Sequence, residues 1–321
     1  MRVSLLGSSH WHAAMHLDAM RFAGADIVAV WDDDPHQAAA FAQAAAVPAV
    51  GFEQAVAAAD LVVLMGHPAR LPAQARAVIE ARKPLILEKP AVTATPELEH
   101  LCALAAAVGA VVGVPLPNRF GPAMLEFRRL RAGGQSGPVV HAGFRLINGP
   151  PQRYRDDGVP WLLAPAIGGG GALRNLGIHG IDAALSLAEG ELRLLASHIG
   201  KRIHTDERVE DHALVTLADD GGALFVVEAG YTYASMAPGG DFEWRLVTDR
   251  AVLLDQGDRA SAIVLGEERR TLAPEPTATR YRLFAADTLA RLAAGRPPAI
   301  TLDDYLASMR LIDAAYAKAG S

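Results

Sequence analysis

The feature that most constrains this chain is the regular alternation of short apolar runs with Ala-rich helical stretches over its first 115 or so residues. Met1-Arg2-Val3-Ser4-Leu5-Leu6 reads as a strand, and Gly7 ends it. Ala13 to Phe22 then reads as a helix. The series continues with strand Asp26 to Trp31, helix Ala38 to Ala46, strand Ala59 to Met65, helix Pro72 to Ala81 and strand Lys83 to Pro90. Helix Pro96 to Val108 and strand Ala110 to Val114 complete it. Strands that are apolar on both faces need helices covering both, which is the condition of a parallel sheet. The expectation is an α/β fold that begins as a doubly wound, Rossmann-type sheet.

The first turn carries chemistry. A glycine that closes a strand lets the backbone bend sharply, so that the amides of the next helix point at a pyrophosphate. Gly7 fits that role, whereas the second and third positions of the G-x-G-x-x-G pattern hold Ser9 and His12. The second strand runs into Asp32-Asp33-Asp34-Pro35. Asp32 at its tip can accept hydrogen bonds from both ribose hydroxyls of an adenosine, while Asp34 and Pro35 cap the next helix. With three acids and no Arg or Lys at this turn, NAD is expected over NADP. Ligands of such sheets sit at the carboxyl ends of the strands. That places Gly7, Ser8, Ser9, His10, Trp11, Asp32, Gly66, His67, Glu88 and Lys89 as cofactor-binding candidates.

Composition removes several classes. The 30 basic and 36 acidic residues leave a net charge of −6 with no Lys/Arg run, so the electrostatic footprint of a nucleic-acid binder is missing. A single cysteine, Cys102, forbids an internal disulfide and is read as core packing. No signal peptide and no apolar run of spanning length is found, so a cytoplasmic protein with small-molecule partners is expected.

At 321 residues and 51% hydrophobic content the chain can bury two cores. Its character changes near Pro117. Apolar stretches at Val139 to Ile147, Leu192 to Ile203, Ala213 to Leu217, Ala223 to Tyr231, Phe242 to Thr248 and Ala251 to Leu254 are separated by turns. Helical patterns lie at Asn175 to Glu189, Tyr281 to Ala294 and Leu302 to Ala317. The expected division is a cofactor domain over 1–118 and an α+β domain with an open, mostly antiparallel sheet over 119–321.

Several segments together resemble one family. They are Gly7, Asp32-Asp33-Asp34-Pro35, Glu88-Lys89-Pro90, Asn118-Arg119-Phe120-Gly121-Pro122, and the Gly-rich run from Gly169 that leads to Asn175 and Gly177-Ile178-His179-Gly180-Ile181-Asp182. The chain is similar to the glucose-fructose oxidoreductase/inositol dehydrogenase (Gfo/Idh/MocA) family over nearly its whole length. The resemblance implies hydride transfer between NAD(P) and a sugar, polyol or related hydroxy compound. It also implies a C-terminal sheet domain that forms homodimers or homotetramers.

Oxidising a secondary alcohol requires a group that removes the hydroxyl proton. Lys89, desolvated at a strand end, can be that group. His179, on a helix after a glycine-rich loop, is the second candidate, and Asp182, one turn further on, either orients it or faces solvent. Asn175 is the departure: where family dehydrogenases commonly carry Asp, an amide can hydrogen-bond but cannot take a proton as a base. The reaction then proceeds through Lys89 or His179 alone, is something other than simple alcohol oxidation, or does not take place. Accordingly an NAD-dependent glycoside hydrolase using transient oxidation, and a non-catalytic cofactor-binding sensor or scaffold, stay open as rivals. The stretch from Arg153 and Tyr154 to Trp161 has the donors and aromatic surface of a sugar or carboxylate site, and with Asp182 it forms the substrate-binding candidates. His10, His12 and His16 include a helical i, i+4 pair but lack the Glu or Cys that would complete a zinc motif, so no metal is expected.

Overall fold

The computed structural model describes residues 1–237, 239–259 and 261–320. They divide into two compact units, residues 1–117 with 278–306 and residues 118–277 with 307–320.

In the first unit β1 (Arg2–Leu6), β2 (Asp26–Trp31), β3 (Leu61–Leu64), β4 (Leu85–Leu87) and β5 (Val112–Gly113) form a five-stranded sheet in the order β2-β1-β3-β4-β5. Its strand pairs are parallel, with Val3 beside Leu61 and Leu64 beside Leu87. Val3, Leu5, Leu6, Val62, Val63, Ile86 and Leu87 are fully buried, which explains the unbroken apolar runs. The crossovers are α1 (Ala13–Phe22), α2 (Pro35–Ala45), α3 (Phe52–Ala58), α4 (Leu71–Glu80) and α5 (Thr95–Val108). The sequence reading has no α3, because seven residues are too few to display a helical period. Residues 278–306, which that reading assigns with the second half, pack into this unit instead.

The second unit opens with α6 (Pro122–Ala132), absent from the sequence reading, and β6 (Val139–Ile147). After short helices α7 (Gln152–Asp156) and α8 (Pro165–Gly168), a π-helical turn at Leu173–Gly177 leads into α9 (Ile178–Leu187). The expected single helix from Asn175 is thus two segments. Seven strands follow: β7 (Arg193–Gly200), β8 (His212–Ala218), β9 (Leu224–Gly230), β10 (Asp241–Thr248), β11 (Ala251–Asp255), β12 (Ser261–Leu265) and β13 (Glu268–Leu272). The sheet runs β13-β12-β11-β10-β6-β9-β8-β7 and is antiparallel except where β6 and β9 pair in parallel. Along β8 buried residues alternate with half-exposed ones, so one face alone is fully covered.

Two long helices end the chain, α10 (Thr277–Ala293) and α11 (Leu302–Ala319). No helix among the described residues is long and apolar enough to cross a membrane.

Candidate active site

The turn after β1 is built around Gly7. Its φ is +84°, and a Cβ there would lie 2.0 Å from the Met65 carbonyl oxygen, so no other residue fits. Its amide is tied to the Trp31 carbonyl at 2.8 Å, which locks the turn to the tip of β2. The loop then takes another course from the one expected. Instead of all pointing outwards from a helix end, the Ser9 amide donates to Asp32 Oδ2 at 2.7 Å, the His10 amide to Gly7 O at 3.1 Å and the His12 amide to His10 Nδ1 at 3.1 Å. With Ser9 and His12 replacing the later glycines, helix α1 begins only at Ala13. Ser8 Oγ is buried in this loop with no hydrogen-bond partner among the described residues. Trp11 stacks on His10 with ring centroids 3.9 Å apart.

Asp32 is buried and also accepts the Asp34 amide at 2.9 Å, while Asp34 caps α2 through the His36 amide at 2.8 Å. Each carboxylate oxygen keeps a lone pair for a ribose hydroxyl. One expectation is corrected here. A cation does reach this turn: Arg70, from the segment after β3, meets Asp33 Oδ2 at 3.1 Å, and Gln74 donates to Asp33 Oδ1 at 3.2 Å. The pattern around Asp32 to Pro35 could not reveal it, because β3 borders β1 only in the folded sheet. Gly66 follows β3 with φ +151°, and His67 beside it accepts the Ala69 amide through Nδ1 at 3.3 Å.

NAD fits this turn. Ser8 Oγ is buried with no hydrogen-bond partner among the described residues, a donor of the kind a phosphate satisfies, and Asp32 stands at the strand tip with lone pairs suited to ribose hydroxyls.

At the end of β4 the structure buries two opposite charges. Glu88 is 1% exposed and Lys89 4%, and the Lys89–Pro90 peptide is cis. The Glu88 carboxylate is engaged by the protein on both oxygens. Oε1 accepts the Lys89 amide at 3.1 Å, and Oε2 lies 2.6 Å from His16 Nε2 and 3.4 Å from the Tyr281 hydroxyl. His12 Nδ1 sits 3.0 Å from that hydroxyl and 3.5 Å from Oε2. Burial alone would push the Glu88 carboxyl up, but His12 and His16, by charge and hydrogen bonding, hold it well below the usual carboxylate range. Burial lowers the Lys89 ammonium to about 8, against the pull of Glu88, which raises it. His10 and His12 are pushed down, chiefly by burial. The three histidines therefore serve this carboxylate and the loop, and no cluster of metal-ligating side chains is found among the described residues.

The second unit assembles its own polar set. Asp182 is fully buried and binds Arg119 through both carboxylate oxygens, at 2.5 and 2.6 Å. It therefore does not face solvent, and it binds an arginine sixty-three positions earlier in the chain. Asn175, also buried, donates to the Tyr231 hydroxyl at 3.2 Å, and Asn148 donates to the Tyr154 hydroxyl at 3.3 Å. The Tyr154 and Tyr231 rings lie 4.8 Å apart, and burial raises both phenols above their ordinary range, so both keep their protons. Arg153 reaches Asp157 at 3.8 Å, and its Nη1 is buried with no hydrogen-bond partner among the described residues. Trp161 is half-buried in a 3₁₀ turn, and His179 lies buried in the first turn of α9.

The Gly-rich approach to Asn175 is clamped by a residue the sequence reading does not single out. Glu210, pushed up by burial, accepts the amides of Gly171 at 2.9 Å and Leu173 at 3.1 Å and the Tyr316 hydroxyl at 2.6 Å. A Cβ on Gly171 would lie 2.2 Å from the Glu210 carbonyl oxygen. Arg119, Tyr231, Tyr281 and Glu210 are the neighbours of these groups that the sequence reading assigns no role, while His16 was singled out only within the histidine cluster. Arg119 carried a signal as part of the Asn118 to Pro122 motif, and Tyr231, Tyr281 and Glu210 carried none.

Residues 1–116 match an oxidoreductase family with an NAD-binding Rossmann fold, and residues 124–253 match the GFO/IDH/MocA C-terminal domain. The class is thus an NAD-binding oxidoreductase. The chain belongs to the Gfo/Idh/MocA family. No curated protein matches it. Among solved structures it is similar to an oxidoreductase from Agrobacterium radiobacter in complex with NAD+, L-tartaric acid and magnesium, at 17% identity and a TM-score of 0.86, covering 100% of this chain and 96% of that one. It is also similar to a levoglucosan dehydrogenase in complex with NADH and levoglucosan, at 18% identity and a TM-score of 0.86, over 100% and 97% of the two chains. An aldose-aldose oxidoreductase from Caulobacter crescentus complexed with glycerol gives 20% identity and a TM-score of 0.82 over 100% and 97%.

Proposed function

We propose that this protein is an NAD-dependent dehydrogenase that oxidises a hydroxyl of a sugar, polyol or related hydroxy compound, with Lys89 taking the hydroxyl proton. The observation that carries the reading is a lysine buried at a strand tip of the NAD-binding unit, with its ammonium lowered to about 8. A base works best when its pKa lies near the working pH, and this amine is deprotonated far more readily than an exposed lysine.

NAD, when bound, supplies the two-electron acceptor. Gly7, Ser8 and Asp32 would hold it, with Ser9, His10, Trp11, Gly66 and His67 shaping its surroundings. Arg153, whose Nη1 is a buried donor without a hydrogen-bond partner among the described residues, suits a substrate oxygen. Asn175, which donates to the Tyr231 hydroxyl, and Tyr154, whose ring lies beside that of Tyr231, offer neutral groups to hydroxyls, as sugar recognition needs. Trp161 offers an aromatic face. His179 orients substrate by hydrogen bonding, and Asp182 keeps Arg119 in place. The solved structures with levoglucosan, glycerol and tartrate support this substrate class.

The test is NADH formation across a panel of polyols, aldoses, anhydrosugars and hydroxy acids. Lys89→Met lowers turnover by roughly 10²-fold or more while NAD affinity is retained. For the wild type, kcat/KM rises about tenfold per pH unit below pH 8 and levels off above it, because the free amine is the reactive form. Glycoside cleavage without NADH accumulation, or full turnover by Lys89→Met, overturns the reading.

A further inference from the structure

Asn175 and Tyr231 are fifty-six positions apart, yet the Asn175 amide donates to the Tyr231 hydroxyl at 3.2 Å. A side-chain hydrogen bond of this length is lost when either backbone shifts by about an ångström, so both backbones have to be fixed. The structure fixes them from one dipeptide, Glu210-Asp211. On the Asn175 side, the backbone amide of Asn175 donates to Gly171 O at 3.0 Å, and Glu210 holds the three residues from Gly171 onwards. Its carboxylate accepts the Gly171 amide at 2.9 Å and the Leu173 amide at 3.1 Å, and its carbonyl accepts the Ala172 amide at 3.3 Å. On the other side, the carbonyl of Asp211 accepts the Tyr231 amide at 2.8 Å.

The dipeptide is itself anchored. The buried Asp211 carboxylate accepts the amides of Arg202, Ile203 and His204 at 2.7, 2.8 and 2.6 Å. Glu210 Oε1 accepts the Tyr316 hydroxyl, from α11, at 2.6 Å, and the Gly171 amide lies 3.2 Å from the same hydroxyl. A Cβ on Gly170 would overlap that hydroxyl, so the glycine-rich run lies directly against the helix. Arg174 adds a second tie to α11, reaching Asp313 at 3.3 Å. Such outside support has a physical reason. The first amides of a helical segment have no partner within it, and a π-helical turn is rarely stable by itself, so a carboxylate that takes those amides decides where the turn sits.

We propose that Glu210, held by Tyr316, is a positioning residue that sets the Asn175–Tyr231 pair, so that the affinity for substrate depends on a contact made by the last helix of the chain. Asn175 recognises substrate hydroxyls in the function proposed above, and the positioning role rests on that reading. The Asn175 side chain also engages the Tyr154 hydroxyl, so a displaced turn disturbs both phenols at once. Recognition by neutral hydrogen bonds is demanding in this respect, because it falls off steeply with distance and angle.

The chain has six tyrosines, so NMR of the full-length protein carrying ζ-13C-tyrosine resolves few signals, and Tyr231→Phe identifies the one that reports the Tyr231 hydroxyl. Glu210→Ala moves this signal in the direction that Asn175→Ala moves it. Tyr316→Phe moves it the same way by less, and serves if Glu210→Ala fails to fold. Glu210→Gln, which keeps Oε1 for Tyr316 and Leu173, restores most of the shift. With a compound that the panel above shows to be oxidised, Glu210→Ala raises KM roughly tenfold and leaves kcat within about twofold, the pattern of lost ground-state binding. On an Asn175→Ala background Glu210→Gln has little further effect on KM, because it acts through Asn175, whereas a general structural role would add in full. A Tyr231 signal that stays in place in both Glu210→Ala and Tyr316→Phe overturns the proposal, as does an unchanged KM or full additivity with Asn175→Ala. No NADH from any compound of the panel would instead sink the function proposed above, and the tyrosine signal would still decide whether Glu210 sets the pair, so the two failures are distinguishable.

Discussion

The two units treat charge in opposite ways. At the tip of β4 the first unit buries an ammonium and a carboxylate whose proton affinities are both displaced, with histidines packed around them. Around Asn175 the second unit presents amides and phenols that keep their protons, and at Asp182 it closes a buried ion pair with a bidentate arginine. A group that exchanges protons has to be held away from its resting pKa, whereas a group that recognises hydroxyls has only to be fixed in place. Asn175 then ceases to be an anomaly: it sits among neutral donors and acceptors, where an amide does what is asked of it.

The comparison breaks most visibly at Arg119. Arg119→Met leaves Asp182 as an uncompensated buried anion, and unfolding in denaturant should show a loss of about 3–5 kcal/mol. A change under 1 kcal/mol would mean that the pair contributes little to the second unit.

Asn175→Asp asks whether the second unit rejects an added charge. The new carboxyl, buried beside Tyr231, has its pKa raised in the folded state above the unfolded value near 3.9. Stability should therefore be about 1–3 kcal/mol lower at pH 8, and the loss should shrink as pH falls towards 4. Equal stability at both pH values would remove the distinction drawn above.

The smallest effect runs the other way. Lys89 has its folded pKa lowered to about 8 from an unfolded value near 10.4, so the folded state binds this proton more weakly than the unfolded chain does. Its destabilising contribution is complete below pH 8, fades between about 8 and 10.4, and is absent above. Lys89→Met, which keeps the apolar stem, should raise stability at pH 7 by something of the order of 1 kcal/mol, measured by thermal or denaturant unfolding. A loss of stability there would show that the ammonium is fully compensated in the folded protein.

The parallel sheet was legible because its strands are buried on both faces, and such strands write themselves as apolar runs. Asp26–Trp31 and Val139–Ile147 were placed to the residue. The hairpin of β12 and β13 was not, since Glu268-Arg269-Arg270-Thr271-Leu272 carries its charges towards solvent and lacks a buried alternation. Contiguous chemistry was legible in the same way: Glu88-Lys89-Pro90 and the Asp32 turn are read off neighbouring letters. Arg70 beside Asp33 and Glu210 beneath Gly171 were not, because their partners lie thirty-seven or more positions away.

What the sequence determined by itself is whatever depends on local order: the alternation that makes a parallel sheet, the glycine that ends β1, the acid that ends β2, the lysine that ends β4 and the family to which they point. What only the tertiary structure decided is the state of those groups. Whether Lys89 is an exposed cation or a desolvated amine depends on the burial of β4, and the Glu88 carboxyl, which burial would push up, is held down by His12 and His16 from the far end of the β1 turn and α1. Periodicity and turns are set by residues next to one another in the chain. Solvation and electrostatic fields are set by residues next to one another in space, and those neighbours exist only after folding.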